Sequence, residues 1–506
     1  MRIIRNIYTG PTVLAAAALL LVAACGQKEE ASSKPAAAKS ESTMQAEVPI
    51  TTSSDAARKS FLEGRALLDG LHFTDAHAKF LAAVEADPDF AMAHVMTALT
   101  SQSAEEFFKH VNLANATAAG ASDGEKLYVE ALVASAENDQ AAQGAALKKL
   151  VGAYPKDART HMALGNFLNG QQDFADAAMH FTHATEIAPG FAPAFNSLGY
   201  AYRSLDDLDQ ANSAFEKYVQ LEPQEANPHD SYAELLMEMG NYDESIKHYQ
   251  MATDIDPHFL SAYGGVSRNY SLMGNAEKSQ EAAAQMLAAS RNFAERQNAM
   301  FASVTSQLFA GNHDAAMQTS SKMAAEAEEQ GDHSAASGVH DYMGDIELNA
   351  GNTAAAAEHY AMALALAEKA NINEANKAQA RRNNMFKMAT VAMVAEDAAL
   401  AGERTDAYAA AVEDSGTAFE RRRAHELMGY MSMINEDMAA GVQHLAQAGQ
   451  FNPHVLYWSA VAHNDLGDKA KARDLFTRAA NRNTLSQNLP FVRAKALAAL
   501  DKMNES

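Results

Sequence analysis

Residues Ala192–Glu225 read APAFNSLGYAYRSLDDLDQANSAFEKYVQLEPQE, and this stretch decides the fold. Apolar and small side chains recur in it at spacings of three and four, in two segments separated by a polar turn, which predicts two amphipathic helices. The residues on the two apolar faces are Phe195, Leu198, Gly199 and Tyr202, then Ala211, Phe215 and Tyr218. Pro223 lacks a backbone N–H, so the second helix ends at or just before it. Neither helix can bury its apolar face alone, and the pair therefore requires neighbours.

The same pattern recurs on both sides of this stretch with a period of 34 residues. The preceding frame, 158–191, carries it as Leu164, Gly165, Leu168, Phe174, Ala177, Phe181, Ala184 and Pro189. The following frame, 226–259, carries it as Ala233, Leu236, Gly240, Tyr242, Tyr249, Ala252 and Pro257. Three units in one frame resemble the tetratricopeptide repeat, a helix–turn–helix with small residues at fixed positions and a proline near its end. The resemblance implies an all-α fold, a right-handed α-solenoid or superhelix of stacked helix–turn–helix units.

The repeat frame predicts the organisation of most of the chain. Residues 57–293 form a regular array of about seven units, of which those near 91–123 and 124–157 are divergent. Residues 294–421 show longer, divergent helical repeats, and 422–506 return to the signature and end in a capping helix that begins at Leu489. We expect one continuous superhelix, and a break near 294 into two sub-arrays is the alternative.

Composition indicates an acidic, helical chain. Of its 506 residues 48% are hydrophobic, and helix-favouring alanine and methionine are abundant. The formal net charge is −24. Because phosphate backbones require a basic surface, we expect no nucleic-acid partner. Cys25 is the only cysteine, so no intramolecular disulfide can form.

The N-terminus has the layout of a secretory signal over residues 1–24. Arg2 and Arg5 precede an apolar run that is too short for an ordinary transmembrane helix. The run ends in Leu21-Val-Ala-Ala-Cys25-Gly26, which resembles the lipobox of bacterial lipoproteins. The resemblance implies that Cys25 is lipidated and becomes the new N-terminus, and a secretory signal with a chance cysteine is the alternative. Gly26 after the cysteine implies the outer membrane of a Gram-negative cell.

Residues 25–56 are predicted to be a lipidated, flexible linker. They are rich in Lys, Glu, Ala, Ser and Thr and show no helical stripe. A linker of about 30 residues reaches about 30 Å, enough to hold the folded part clear of the lipid. We therefore expect a lipid-anchored protein at the periplasmic face of the cell outer membrane.

A binding groove is implied by the resemblance to the repeat family, in which set positions of the first helix line the concave side. The side chains at those positions are Asn166, Asn196, Tyr200, Arg203, Glu234 and Arg268. Amide, phenol and guanidinium groups can bind a peptide backbone and an acidic side chain. A solvated helix face without a ligand is the alternative for each residue.

Metal and catalytic sites are not predicted. His180, His183 and Glu186 have a spacing that could serve one metal ion, but they lie off the buried stripe of their helix, so we expect no metal and no cofactor. No nucleophile elbow, zinc-protease motif or phosphate-binding loop is present in the sequence. Arg421-Arg422-Arg423 is interpreted as a solvated helix face that pairs with Glu413, Asp414 and Glu420.

The sequence thus predicts a membrane-anchored periplasmic scaffold or adaptor that binds another protein or peptide in a cell-envelope process and is not an enzyme. One alternative is an enzyme whose site is hidden in 371–421. The other is a carrier of a small apolar ligand inside the superhelix, with a methionine-lined cavity. The sequence does not indicate the partner, the pathway or the oligomeric state.

Overall fold

The computed structural model describes residues 47–70, 72–101, 104–137, 139–372, 374–413, 416–482 and 484–505. The chain is 81% helical, with 25 α-helices and no β-strand among the described residues. The predicted signal sequence, the lipidation site Cys25 and the linker up to residue 46 lie outside them. No helix within the described ranges combines the length and the apolarity needed to cross a bilayer.

The helices, in chain order, are α1 (Asp55–Asp69), α2 (Phe73–Ala86), α3 (Ala91–Thr100), α4 (Ala104–Thr117), α5 (Asp123–Ala136), α6 (Gln140–Ala153), α7 (Ala158–Gly170), α8 (Phe174–Ile187), α9 (Ala192–Ser204), α10 (Leu208–Leu221), α11 (Ala226–Glu238), α12 (Tyr242–Ile255), α13 (Leu260–Leu272), α14 (Ala276–Ala289), α15 (Phe293–Phe309), α16 (His313–Glu329), α17 (His333–Asn349), α18 (Thr353–Lys369), α19 (Glu374–Val394), α20 (Ala398–Glu413), α21 (Ala418–Ile434), α22 (Met438–Leu445), α23 (Pro453–Asp465), α24 (Lys469–Asn481) and α25 (Leu489–Glu505). A short 3₁₀-helix, Ala118–Gly120, follows α4.

Consecutive helices pack as helix–turn–helix pairs, and the prediction of an all-α repeat solenoid is confirmed. The helices α7, α9, α11 and α13 begin where the 34-residue frames begin. The second helices α8, α10 and α12 each end two residues before the proline of their frame. The proline has no N–H to donate and disfavours helical backbone in the residue before it, so it stops each second helix at the same place.

The turn inside each pair also repeats. Its second residue has left-handed backbone, with φ of 65° at Gln172, 68° at Asp206, 80° at Gly240 and 75° at Gly274. Only glycine adopts this conformation without steric cost, yet two of the four residues are not glycine. The packing of the two helices therefore imposes the turn even where the local residue disfavours it.

Helix length changes along the chain. From α7 to α14 the helices have 13 or 14 residues, whereas α15, α16, α17 and α18 have 17 each. The divergent stretch 371–421 contains another pair, α19 with α20, and the start of α21. It therefore continues the helix–turn–helix pattern of the chain.

The described residues fall into two compact units. The N-terminal unit comprises 47–235 with 247–259, and the C-terminal unit comprises 236–246 with 260–505. Each has cores in which alanines pack against aromatic side chains. The buried aromatic side chains of the N-terminal unit include Phe61, Phe80 and Phe90, which have small neighbours. Those of the C-terminal unit include Tyr360, Phe386 and Tyr408.

The predicted linker, 25–56, is too long at its C-terminal end. Val48 and Ile50 pack against the cores of the N-terminal unit, and the side chain of Ser54 caps the first helix by accepting from the Ala57 N–H. This stretch shows no helical pattern in the sequence because its backbone is extended. An extended backbone that is held by hydrogen bonds leaves no helical periodicity of apolar residues. Residues 47–54 therefore belong to the folded unit.

The terminal helix α25 does more than the predicted capping. Its Val492 and Ala496 cover the apolar face of α24, as a cap does. Its first turn also reaches other helices of the C-terminal unit, since Leu489 is buried with Met237 and Leu272. Repeat arrays require a cover on their last exposed face, and here the same helix also packs inside the unit.

Gly344 and Gly338, both on α17, give a matched test of the packing between paired helices. A Cβ at Gly344 would stand 2.3 Å from the buried ring of Tyr360, whereas a Cβ at Gly338 meets nothing within 4 Å. We predict that Gly344→Ala lowers the free energy of unfolding by about 1–3 kcal/mol through overpacking. Gly338→Ala is expected to raise it by up to about 1 kcal/mol, because alanine favours helix. Urea unfolding followed by circular dichroism measures both, and equal stabilities would contradict the packing.

Candidate interaction surface

The side chains predicted to line the groove lie on first helices of the pairs. Asn166 is on α7, Asn196, Tyr200 and Arg203 are on α9, and Glu234 is on α11. All five belong to the N-terminal unit. The first helices are thus the elements that place these groups on one side of the unit.

In the N-terminal unit, side chains from pairs that are distant in sequence meet on this side. The guanidinium of Arg159 on α7 forms an ion pair with Asp69 at the end of α1, with an Nη1–Oδ1 distance of 2.8 Å. His72, after α1, lies with its Nε2 3.5 Å from a carboxylate oxygen of Glu225, after α10. Arg159 and Asn166 lie seven residues, about two turns, apart on α7 and so share one face of that helix, which we take as the inner side of the unit.

Three of the predicted groove residues bond to one another. The Tyr200 hydroxyl donates to Ser231 Oγ at 3.2 Å and lies 3.4 Å from Glu234 Oε2. Arg203 Nη1 donates to the same carboxylate at 2.7 Å. Burial raises the pKa of Tyr200 well above its ordinary value, with the Glu234 charge as a smaller cause. These groups join α9 to α11, and the Arg203–Glu234 side chains are only 15% and 18% exposed.

The remaining groove residues differ in their surroundings. Asn166 is exposed on α7, and the side-chain oxygen of Asn196 is buried with no hydrogen-bond partner among the described residues. Arg268 lies on α13 in the C-terminal unit, where it is buried and its guanidinium lies 5.2 Å from the ring centroid of Phe309. Asn166 is therefore the most exposed of the six residues.

A stretch of the chain itself lies along the N-terminal unit. The Val48 N–H donates to Asp157 Oδ2 at 2.9 Å, and the Thr51 N–H donates to Glu125 Oε1 at 2.8 Å. The Thr52 hydroxyl donates to the carboxylate of Asp87. Asp87 directly follows α2, Glu125 lies in the first turn of α5, and Asp157 is the N-cap residue of α7. Three carboxylates thus hold one extended segment, two of them through backbone N–H groups.

The C-terminal unit has a buried ion pair in its interior. Lys387 is fully buried, and its Nζ lies 2.6 Å from Asp345 Oδ1 and 3.1 Å from Asp341 Oδ2. The Tyr360 hydroxyl donates to Asp345 Oδ1 at 2.7 Å. Burial raises the pKa of Asp345, and the Lys387 charge acts in the opposite direction. The pair joins α17 to α19 at the edge of the divergent stretch.

Of the three consecutive arginines predicted to form a solvated face, Arg421 is exposed, but for Arg423 the prediction is wrong. Arg423 is buried, its guanidinium lies 3.5 Å from the ring centroid of Phe386, and its Nη1 donates to Asn383 Oδ1 at 2.8 Å. Glu420 pairs with Arg382 instead, at 2.7 Å. The predicted partner Asp414 lies outside the described residues. A delocalised guanidinium can stack on an aromatic ring, which the sequence pattern does not reveal.

Further polar groups are buried near the C-terminus of the unit. Glu426 accepts from the Tyr430 hydroxyl at 3.0 Å and from Asn452 Nδ2 at 3.2 Å, and burial raises its pKa. His454 is buried, neither ring nitrogen has a hydrogen-bond partner within the described part of the chain, and burial holds its pKa well below the ordinary value. An interior with this many charged and polar groups is unfavourable for a purely apolar ligand.

Sequence reasoning missed a recurrent pair of histidines. In five helix pairs the Nδ1 atoms of one histidine on the first helix and one on the second lie 3.0–3.2 Å apart. The pairs are His94 with His110, His161 with His180, His229 with His248, His340 with His359, and His425 with His444. In four of them the separation is 19 residues, a constant spacing that could have been found in the sequence.

Family models described as tetratricopeptide repeat match residues 61–100, 192–225, 229–259 and 454–484. No curated protein matches the chain. Solved structures that resemble it include a tetratricopeptide repeat protein from Parabacteroides merdae, 14% identical, covering 52% of this chain and 98% of that one, with a TM-score of 0.39. Others are MamA (21% identical, 33% and 94% covered, TM-score 0.30) and YrrB, "a TPR protein with an unusual peptide-binding site" (16%, 44% and 96%, 0.28). At these scores the neighbours carry no argument about function.

The fold and the family models together define the class. The chain contains tetratricopeptide repeats, and such repeats are scaffolds for protein–protein interaction and in general not enzymes. The repeats therefore imply a scaffold for protein–protein interaction, in agreement with the coarse prediction.

Removing the buried cation tests the interior of the C-terminal unit. We predict that Lys387→Met destabilises the protein by about 3–5 kcal/mol, because Asp345 is left buried without a counter-charge. The double variant Lys387→Met/Asp345→Asn is expected to recover part of this loss, since the second change removes the uncompensated charge. Urea unfolding measures both, and a double variant no more stable than the single one would contradict the ion-pair account.

Acid should destabilise the fold through the histidine pairs. Burial lowers the pKa of His110 to about 4 and also lowers that of His94. Because the folded chain resists protonation that the unfolded chain accepts, this stability is complete above pH about 6.5 and is lost as the pH falls toward 4. We predict that His94→Gln/His110→Gln flattens the plot of unfolding free energy against pH in this window. An unchanged slope would show that the pair does not contribute.

Proposed function

We propose that this chain is a lipid-anchored scaffold of the cell envelope that binds extended polypeptide on the inner side of its repeats. The lipidation of Cys25 and the periplasmic face of the outer membrane follow from the lipobox resemblance. The partner is a protein or peptide. The repeats supply the binding surface, and the N-terminal lipid fixes its location.

The observation that supports peptide binding is the way the N-terminal unit holds residues 48–52. The amides of Val48 and Thr51 each donate to a carboxylate at 2.8–2.9 Å. A carboxylate that accepts a backbone N–H forms a charge-assisted bond that requires no particular side chain in the bound segment. The unit therefore carries a built arrangement for extended backbone, demonstrated on a segment of its own chain.

The formal net charge of the chain is consistent with repeats that are anchored to the lipid but held above its surface. With a formal net charge of −24, the protein is repelled by an anionic lipid surface. Since residues 47–54 are part of the fold, the tether is limited to the 22 residues from Cys25 to 46, which reach about 25–30 Å when flexible. Charge and tether together keep the repeats accessible to a periplasmic partner.

Site-specific photocrosslinking in cells tests the inner surface. A benzophenone amino acid at Asn166, exposed on a first helix, is expected to capture a partner protein. The same group at Asp176, exposed on the second helix α8 of the same pair, serves as the matched control and is expected to capture little. Equal capture at both positions, or capture at Asp176 alone, would contradict an inner binding surface.

Membrane attachment has its own test. Cys25→Ser removes the thiol that is acylated, so the full-length variant is expected to leave the membrane fraction. Treatment of cells that make the wild-type protein with globomycin is expected to give the unprocessed precursor. Fractionation and immunoblotting measure this. A mature-sized Cys25→Ser protein that still sediments with outer membranes would contradict the lipid anchor while leaving the crosslinking result independent.

A further inference from the structure

Four of the histidine pairs share one geometry. Each joins a first-helix histidine to a second-helix histidine of the same pair at a spacing of 19, with Nδ1–Nδ1 distances of 3.0–3.2 Å. They are His161 with His180, His229 with His248, His340 with His359, and His425 with His444. The pairs occur in both units, so the arrangement is a property of the repeat.

In two of the four pairs a second hydrogen bond orients the first-helix histidine. Nε2 of His161 donates to the carbonyl oxygen of Pro155 at 3.2 Å, and Nε2 of His229 donates to that of Pro223 at 3.1 Å. With the proton on Nε2, the Nδ1 lone pair is directed at the partner ring. Histidines that bind metals are commonly held in this way, with the second ring nitrogen donating to a backbone carbonyl.

We propose that each of these four pairs chelates one divalent transition-metal ion of the zinc, copper and nickel class through its two Nδ1 atoms. Nitrogen ligands lie about 2.0–2.1 Å from such an ion, so a separation of 3.0–3.2 Å corresponds to an N–metal–N angle of about 90–105°. That range lies between square-planar and tetrahedral geometry, and imidazole is a preferred ligand of these metals.

Chelation needs a small rearrangement of the rings. The ring centroids are 5.3–5.5 Å apart, so the two rings lie nearly end to end and share one hydrogen bond between the Nδ1 atoms. Each ring must turn until both lone pairs meet at the ion. The second-helix histidine moves its proton from Nδ1 to Nε2, and the pair as a whole loses none.

Protonation and access both favour binding. Burial lowers the pKa of His161, His180, His340 and His359, which keeps these rings neutral and able to bind a metal at neutral pH. The second-helix histidine of each of the four pairs is half-exposed. His94 and His110 are both fully buried, so the fifth pair is closed to a metal ion from solvent.

The predicted sites have two protein ligands each. Among the described residues, no group of three or more His, Cys, Asp or Glu side chains could hold a metal ion. Water completes the coordination, so the ions bind reversibly. Each ion joins the first helix of a pair to the second, as α7 is joined to α8. This revises the expectation of a chain without metal, and it differs from the discarded grouping of His180, His183 and Glu186.

Copper and zinc titrations of the intact mature protein test the proposal. After chelator treatment, we expect about four Cu²⁺ per chain, with nitrogen hyperfine splitting from two imidazoles in the electron paramagnetic resonance spectrum. Zinc at about 100 times its dissociation constant should multiply the folded-to-unfolded ratio by up to about 100 for each occupied site and raise the melting temperature. Calcium, which prefers oxygen ligands, should do neither.

Variants of one pair give the matched control. His180→Gln is expected to remove one metal equivalent. His183 lies one turn along on the same helix, and its ring centroid is also 5.3 Å from that of His161. Because its Nδ1 is bonded to Glu186 at 3.3 Å, His183→Gln should remove none. The fourfold variant His180→Gln/His248→Gln/His359→Gln/His444→Gln should retain its helicity and lose all four.

Three results would overturn the proposal. The first is unchanged copper stoichiometry in the fourfold variant, which would assign the metal to the acidic surface. The second is loss of an equivalent in His183→Gln as well as in His180→Gln, which would point to the discarded grouping. A protein that takes up no copper or zinc at micromolar concentration would also exclude it.

Discussion

The structure depends on the fit of one small residue on a first helix against one aromatic ring on the second. A Cβ added at Gly165, Gly199 or Gly344 would stand 2.3–2.7 Å from the nearest atom of Phe181, Phe215 or Tyr360. The glycine therefore lets the two backbones approach, and the ring fills the space that this approach leaves. Where this contact between glycine and an aromatic ring recurs every 34 residues, it sets the angle between the two helices of each pair. Neighbouring pairs then bury the apolar surface that a single pair leaves exposed.

The stacking of helix pairs also buries polar side chains, in part or completely. In the N-terminal unit, Tyr200 and Arg203 bond to Glu234 of the next pair, so part of the inner face is used to join repeats. In the C-terminal unit, Lys387 and Asp345 are buried as an ion pair. Buried ion pairs of this kind contribute little net stability, but the fold loses much stability when one partner is removed. They also favour a single packing arrangement.

The sequence was sufficient for features that follow from periodicity. The starts of α7, α9, α11 and α13 and the ends before Pro189, Pro223 and Pro257 agree with the predicted frame, because glycine, aromatic and proline positions are local signals. It was not sufficient for contacts between distant residues. The extended segment around Val48 carries no period, and the burial of Arg423 depends on Phe386, which lies 37 residues away in another pair. The six groove residues, which the resemblance to the repeat family implied, lie on first helices, but the resemblance could not show that three of them bond to each other.

Hydrogen exchange at the amides of Val48 and Thr51 tests the central claim most directly, because those amides report whether the repeats hold an extended backbone. The account predicts that in the full chain both amides exchange many times more slowly than in an unstructured peptide, with protection reduced by Asp157→Asn and Glu125→Gln respectively. Exchange of both amides at the rate of an unstructured peptide, while the helices stay protected, would contradict it.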